Sequence, residues 1–184
     1  MFLLKKKWNE WGRSYQQQRL KKPNCRWDKR QHKKKIITLH LRPLLLGMTN
    51  DHCSFCDLMP VVPYTIEHFR PRSKYPKLTY QWRNLFICCG FCQQANTKNF
   101  KKEILKPDKV DYEYERYFFY NPVTGKLEPN PKACLQDQNK ALITIAYYKL
   151  NEFGRPEHRK REIKKFTLEN DLTIDDFSFR YLFL

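Results

Sequence analysis

The sequence predicts an α+β fold: a small core of short strands and a helix, stapled by a four-cysteine zinc knuckle and flanked by N- and C-terminal helices. Three observations predict it. Cys53-Ser-Phe-Cys56 and Cys89-Gly-Phe-Cys92 are two matched pairs, and the spacing lets both thiolates of a pair reach one tetrahedral ion. Between the pairs, Thr, Ile, Val and Tyr crowd into residues 61–69 and an apolar run covers residues 85–88, the composition of strands. On either side, apolar residues recur at helical spacing. The 184 residues suit one domain with appendages. Residues 1–48 form a basic helical region, residues 49–104 the core, and residues 105–184 a hairpin with C-terminal helices.

The elements follow in chain order. Leu4, Trp8, Trp11 and Tyr15 share one face of a first helix, their spacing being i, i+4, i+7 and i+11. Pro23-Asn24 breaks it, and a second helical stretch covers residues 33–46, with Pro43 as a kink or a new start and Gly47 as a stop. Residues 61–69 and Leu85–Cys88 are the strands of the core, and Pro71 and Pro76 mark the loop after the first. Residues 93–103 lack Gly and Pro and read as a helix. Asn121-Pro-Val-Thr-Gly125 lies between two strand-like runs and reads as a hairpin turn. Residues 136–170 return to helix, with Leu142, Ile145, Ala146, Lys149 and Leu150 tracing one face. Gly154-Arg-Pro156 separates this from a last basic helix, and the apolar tail from Thr173 packs on the domain or on a partner.

Charge narrows the partners. Thirty-six basic against nineteen acidic residues leave +17, of which +11 sits in residues 1–35. Such an excess points first to nucleic acid and second to an anionic membrane surface. There is no apolar run of membrane-spanning length, and the opening Met1-Phe-Leu-Leu-Lys-Lys-Lys lacks the layout of a secretory signal. A cytoplasmic, reducing location is therefore expected, and no membrane partner. There, seven cysteines argue for metal rather than disulfides. Four thiolates close the coordination shell of zinc, so the site is expected to be structural, adding roughly 10–16 kcal/mol to folding. Cys88 beside Cys89 leaves the register of the second pair open, and Cys25 and Cys134 read as plain apolar residues.

Two further groups carry chemistry. Ile66-Glu67-His68-Phe69-Arg70-Pro71 puts a carboxylate, which suits a hard divalent cation, beside a histidine, which takes a proton near neutral pH. On a regular strand the two side chains point to opposite faces, so joint chemistry needs a strand end, which Pro71 supplies. Taken alone, the pair fits a surface or capping histidine better than a catalytic one. The second group is Trp82-Arg-Asn84-Leu85 followed by the second cysteine pair and Gln93-Gln94-Ala95-Asn96-Thr97-Lys98. Asn84 can brace a loop through its amide, and Gln93 and Asn96 share a helix face.

In chain order these features are a Cys pair, Glu67-His68, Asn84-Leu85, a second Cys pair and a polar helix. This order resembles the HNH endonuclease family over about 50 residues. A looser likeness runs over most of the chain. His52-Cys-Ser-Phe-Cys56, residues 66–76, Trp82–Leu85, the hairpin 118–127 and the helix 141–151 are similar to the HNH subunit of Septu-type and retron-linked anti-phage systems. The resemblance implies a ββα-metal (HNH) core with a four-cysteine zinc knuckle, holding structural Zn²⁺ on Cys53, Cys56, Cys89 and Cys92. It implies His68 as general base, Glu67 as ligand of a catalytic Mg²⁺ or Mn²⁺, and Asn84 as the brace of the base's loop. The second metal ligand falls on Gln93, where many members carry His or Asn, or on Asn96. Arg70, Arg72, Lys74 and Lys98 become contacts to nucleic-acid phosphates.

The activity so implied is metal-assisted hydrolysis of phosphodiesters, DNA ahead of RNA. The implied partners are an SMC/ABC-like ATPase and, for retron-linked members, a reverse transcriptase with its nucleic acid. The competing readings are a non-catalytic zinc module that binds nucleic acid and a subunit that docks a partner through its aromatic N-terminus and tail.

Overall fold

The computed structural model describes residues 41–59, 64–94, 100–110, 112–169 and 171–183. The first helix with Leu4, Trp8, Trp11 and Tyr15, and with them Cys25, Asn96 and Lys98, lie outside the described residues. The chain divides into two compact units, the first holding residues up to Thr49 together with Ile66–Ile87, the second Asn50–Thr65 and Cys88–Leu184.

In the first unit, helix α1 (Arg42–Gly47) opens with Pro43 in its first turn, where a missing N–H leaves no bond unmade. It buries Leu45. Strands β1 (Thr65–His68) and β2 (Leu85–Cys88) pair in a two-stranded sheet. At one end the Phe69 N–H donates to the Asn84 carbonyl at 3.0 Å, and at the other Thr65 Oγ1 donates to the Cys88 carbonyl at 3.2 Å, so the strands run antiparallel. β2 is buried along its whole length, as its apolar sequence requires. The connection carries two short 3₁₀ turns, Pro76–Leu78 and Trp82–Asn84.

In the second unit, helix α2 (Gly90–Gln93) is a single turn. The helix expected over residues 93–103 does not reach its far end: Phe100–Glu103 is turn and loop. Helix α3 (Tyr114–Tyr117) leads into β3 (Phe118–Tyr120), which pairs antiparallel with β4 (Leu127–Pro129) in the register Phe118↔Pro129 and Tyr120↔Leu127. The expected hairpin is therefore present. Asn121 builds its turn, its side-chain oxygen accepting the Val123 and Thr124 N–H groups at 3.0 and 3.1 Å.

Helix α4 (Leu135–Tyr147) packs against β4 and α3. Its buried residues are Asp137, Ala141 and Thr144, not the face that Leu142 traces, and Leu142 is 55% exposed. The reason is polar. Asp137 holds Arg116 and Lys140, each at 2.8 Å, and the Thr144 hydroxyl accepts the Leu105 N–H at 2.9 Å. An apolar pattern cannot register a face held by a carboxylate and a hydroxyl. Lys149 leaves the helix in the left-handed region, so it and Leu150 lie past the helix end. Helix α5 (Arg155–Leu168) starts after Gly154.

Gly125 is where the hairpin meets α5. It has φ +71°, and a Cβ there would lie 2.4 Å from the Pro156 carbonyl oxygen. Gly125→Ala combines left-handed strain with a backbone clash and is expected to cost about 2–4 kcal/mol. Gly47, with open space around it, serves as the control. Denaturant midpoints measure both, and an unchanged midpoint for Gly125→Ala would contradict the described packing.

Candidate functional site

The two cysteine pairs converge. Sγ atoms of Cys53, Cys56, Cys89 and Cys92 all lie within 4.8 Å of one another, and all four residues are buried. A tetrahedral zinc with Zn–S of about 2.3 Å sets its sulfurs about 3.8 Å apart. The Cys56 and Cys89 sulfurs are 3.7 Å apart, so the donor set fits zinc in chemistry and in spacing. Cys88 is not one of the four; it ends β2, and the register left open by the sequence resolves on Cys89. Cys134 is exposed at the start of α4 and is not one of the four either.

Local backbone geometry makes each pair a knuckle. The Cys53 carbonyl accepts the Asp57 N–H at 2.9 Å, and the Cys53 N–H donates to the Leu58 carbonyl at 2.9 Å. Asp57 takes the left-handed conformation that closes this turn, one that Asp tolerates. Cys89 caps α2, its sulfur accepting the Cys92 N–H at 3.5 Å, while its own N–H donates to the Cys53 sulfur at 3.4 Å. Burial pushes the Cys56 and Cys92 thiols up. Burial also acts upward on Cys53, but hydrogen bonds from Cys56, Cys88, Cys89 and Cys92 outweigh it and hold that thiol low. Metal binding removes the remaining protons.

Three supports surround the knuckles, and of these the sequence pointed only to the tail, as packing on the domain or on a partner. Arg155, 2% exposed, donates from Nη2 to the Cys92 sulfur at 3.2 Å, and from Nη1 to the Tyr148 and Lys149 carbonyls at 3.0 and 2.7 Å. Burial works against its charge, but the cysteines, Cys56 foremost, more than offset this and raise its pKa. Phe55, inside the first knuckle, stacks on Tyr148 at 4.3 Å. The tail from Thr173 packs on the domain: the His52 ring lies between the Asn50 and Phe177 carbonyls. Asp57 pairs with Arg180 at 2.7 Å and accepts the Phe179 N–H on its carbonyl at 2.8 Å.

In the first unit, Glu67 and His68 close β1. His68 Nε2 lies 3.0 Å from the Thr79 carbonyl. A carbonyl only accepts, so Nε2 carries the hydrogen, and the neutral ring has its lone pair on Nδ1. Asn84, 4% exposed, accepts the Arg70 N–H at 2.7 Å and donates to the Arg70 and Leu78 carbonyls, each at 3.1 Å. Both ends of the loop that carries Arg70, Arg72 and Lys74 are thus tied to one amide. The Arg70 guanidinium sits over the Tyr75 ring at 5.5 Å. Burial raises the Glu67 pKa, with the His68 N–H and the Arg72 charge acting in the opposite sense.

Comparison with known proteins gives one relation. No family model matches the chain. It is similar to the Septu protein PtuB of Bacillus thuringiensis. The two are 28% identical over 135 residues, which cover 71% of this chain and 48% of that protein. The chain thus spans about half the length of the curated relative it matches.

Of the residues singled out in the sequence, Glu67, His68, Asn84, Arg70, Arg72 and Lys74 fall in the first unit, and the four cysteines with Gln93 in the second. Gln93 ends α2 and is exposed. Arg155 carried one faint signal: it stands at a helix start, where a cation is poorly placed with respect to the helix dipole. No described helix is long and apolar enough to cross a membrane.

The Glu67 shift sets a pH dependence. A raised carboxyl contributes fully below its ordinary value of 4.5, and the contribution is lost as pH rises through the raised folded value. Without added Mg²⁺ or Mn²⁺, Glu67→Gln is therefore expected to gain stability relative to wild type from pH 4 toward pH 7. Thermal midpoints across that range measure it, and a pH-independent difference would contradict it.

Proposed function

We propose that this chain is a metal-dependent endonuclease of the HNH type, acting as the effector subunit of a Septu-type anti-phage defence complex. The observation that carries the reading is the orientation of His68. A backbone carbonyl fixes Nε2 as donor, which makes Nδ1 the basic atom, and Asn84 holds the adjoining loop. The similarity to Septu protein PtuB supports the defence role. The net charge of +17 supports a polyanionic substrate.

In this reading, residues 49–104 are the ββα-metal core. His68 Nδ1 takes a proton from water, the water oxygen attacks phosphorus, and the P–O3′ bond breaks, the leaving O3′ taking a proton from solvent, to give 5′-phosphate and 3′-hydroxyl ends. Glu67, with Gln93 or Asn96, would hold a divalent Mg²⁺ or Mn²⁺, which when bound offsets charge on the phosphate and the leaving oxygen. Arg70, Arg72, Lys74 and Lys98 contact flanking phosphates, which positions the strand without reading its bases. The four cysteines hold zinc as a closed structural centre. Activity is gated by an SMC/ABC-like ATPase partner, since a free nuclease of this charge would attack its host.

The test compares wild type with His68→Ala on supercoiled plasmid and on a structured small RNA, with Mg²⁺ or Mn²⁺ and with EDTA, alone and with the ATPase. Wild type is expected to cut in the presence of the divalent ion. The variant is expected to lose about 10²–10⁴-fold in rate, the range of a lost general base, while still binding nucleic acid. Equal cutting by both proteins would refute the site. Binding without cutting, even with the ATPase, would favour the non-catalytic zinc module.

A further inference from the structure

Arg155 is a buried cation whose counter-charge has to come from somewhere. Among the described residues no carboxylate pairs with it; its guanidinium meets two backbone carbonyls and the Cys92 sulfur. Its Nε is buried with no hydrogen-bond partner. Two aromatic rings cover it, Phe91 at 5.6 Å and Phe153 at 5.9 Å, themselves stacked at 5.3 Å. A guanidinium left uncompensated in such a place is destabilising by several kcal/mol. Neutral thiols would not compensate it. A divalent ion in four thiolates leaves two negative charges over, and Arg155 stands against that excess.

The sulfurs differ in what they accept. Cys53 and Cys89 each receive a backbone N–H, at 3.4 and 3.5 Å. Cys92 receives the guanidinium at 3.2 Å, a charge-assisted bond of the stronger kind. Drawing electron density from a thiolate lowers its nucleophilicity and its readiness to leave the metal for an electrophile.

We infer that Arg155 is a positioning residue of the metal centre: its guanidinium neutralises part of the tetrathiolate's charge and quiets the Cys92 sulfur, so that the centre keeps its zinc and resists thiol chemistry. The inference rests on the four-cysteine cluster being a zinc centre, and the experiment separates the two. Zinc content is measured first on the purified full chain. One zinc per chain is expected; a protein that folds without metal would overturn the metal centre and this inference with it.

Zinc transfer to 4-(2-pyridylazo)resorcinol in the presence of N-ethylmaleimide is then timed for wild type, Arg155→Met and Arg155→Lys. Transfer from Arg155→Met is expected to be about 10–100-fold faster than from wild type, and Arg155→Lys, which keeps the charge, is expected to stay within about threefold of wild type. Equal rates in all three, or equal acceleration in both variants, would overturn the inference, the second because it would leave only a structural role for the guanidinium fork. Should Arg155→Met fail to fold, wild type alone decides: time-resolved mass mapping of alkylation should find Cys92 the last of the four ligands modified. Cys92 modified first, or at the same rate as the others, would overturn the inference.

Discussion

Four buried sulfurs within 4.8 Å of one another form a donor set that could hold a structural metal ion such as zinc. As thiols they would forgo most of their hydrogen bonds, and as thiolates they would repel one another in a medium too dry to screen them. A bound ion would resolve both difficulties, and much of the second unit is arranged around the four cysteines. The ring of Phe55 seats the first knuckle on Tyr148. Arg155 brings the start of α5 to Cys92. Asp57, one residue past Cys56, receives Arg180 from the tail. The cysteines also tie together the two ends of the segment that separates the pairs, so a 32-residue spacer becomes a closed loop rather than a free one.

Within that spacer, the first unit uses its hydrogen bonds to set geometry. Asn84 commits its carbonyl oxygen and both amide hydrogens to the backbone of Arg70 and Leu78, and His68 gives one ring nitrogen to Thr79. The result is a loop fixed at its base and rich in exposed cations, next to an imidazole in a defined tautomer. Glu67 is the opposite case. Burial disfavours its charge, and the His68 N–H and the Arg72 charge offset only part of that penalty.

Much of this was legible in the sequence, because the features involved are local. Cys-x-x-Cys spacing names its own knuckles, Leu85–Cys88 is apolar enough to be a buried strand, and Asn121 with Gly125 writes its turn directly. What stayed hidden was long-range and polar. The buried face of α4 is set by Asp137 and Thr144, which no apolar periodicity reports. Arg155 and Arg159 look like members of a basic helix face, yet both are buried: Arg159 donates to the Gly125 and Leu150 carbonyls at 3.2 and 2.6 Å. Charge runs read as solvated surface unless the acceptors are known, and these acceptors are mostly backbone carbonyls, with a sulfur, the Tyr181 hydroxyl and the Asn151 amide oxygen, distant in sequence or invisible in a residue pattern. The helix expected over residues 93–103 overran for a similar reason: helix-permitting composition is only a weak prior, and α2 is held at its start by the cysteine cap.

The charge balance at the cysteine cluster depends on the ion it would hold. X-ray absorption at the zinc edge of the purified chain tests this most directly. A shell of four sulfurs at about 2.3 Å, with no lighter ligand, is the predicted result. A shell containing nitrogen or oxygen, or fewer than four sulfurs, would contradict it, because the centre would then be open and the excess negative charge that Arg155 answers would be reduced.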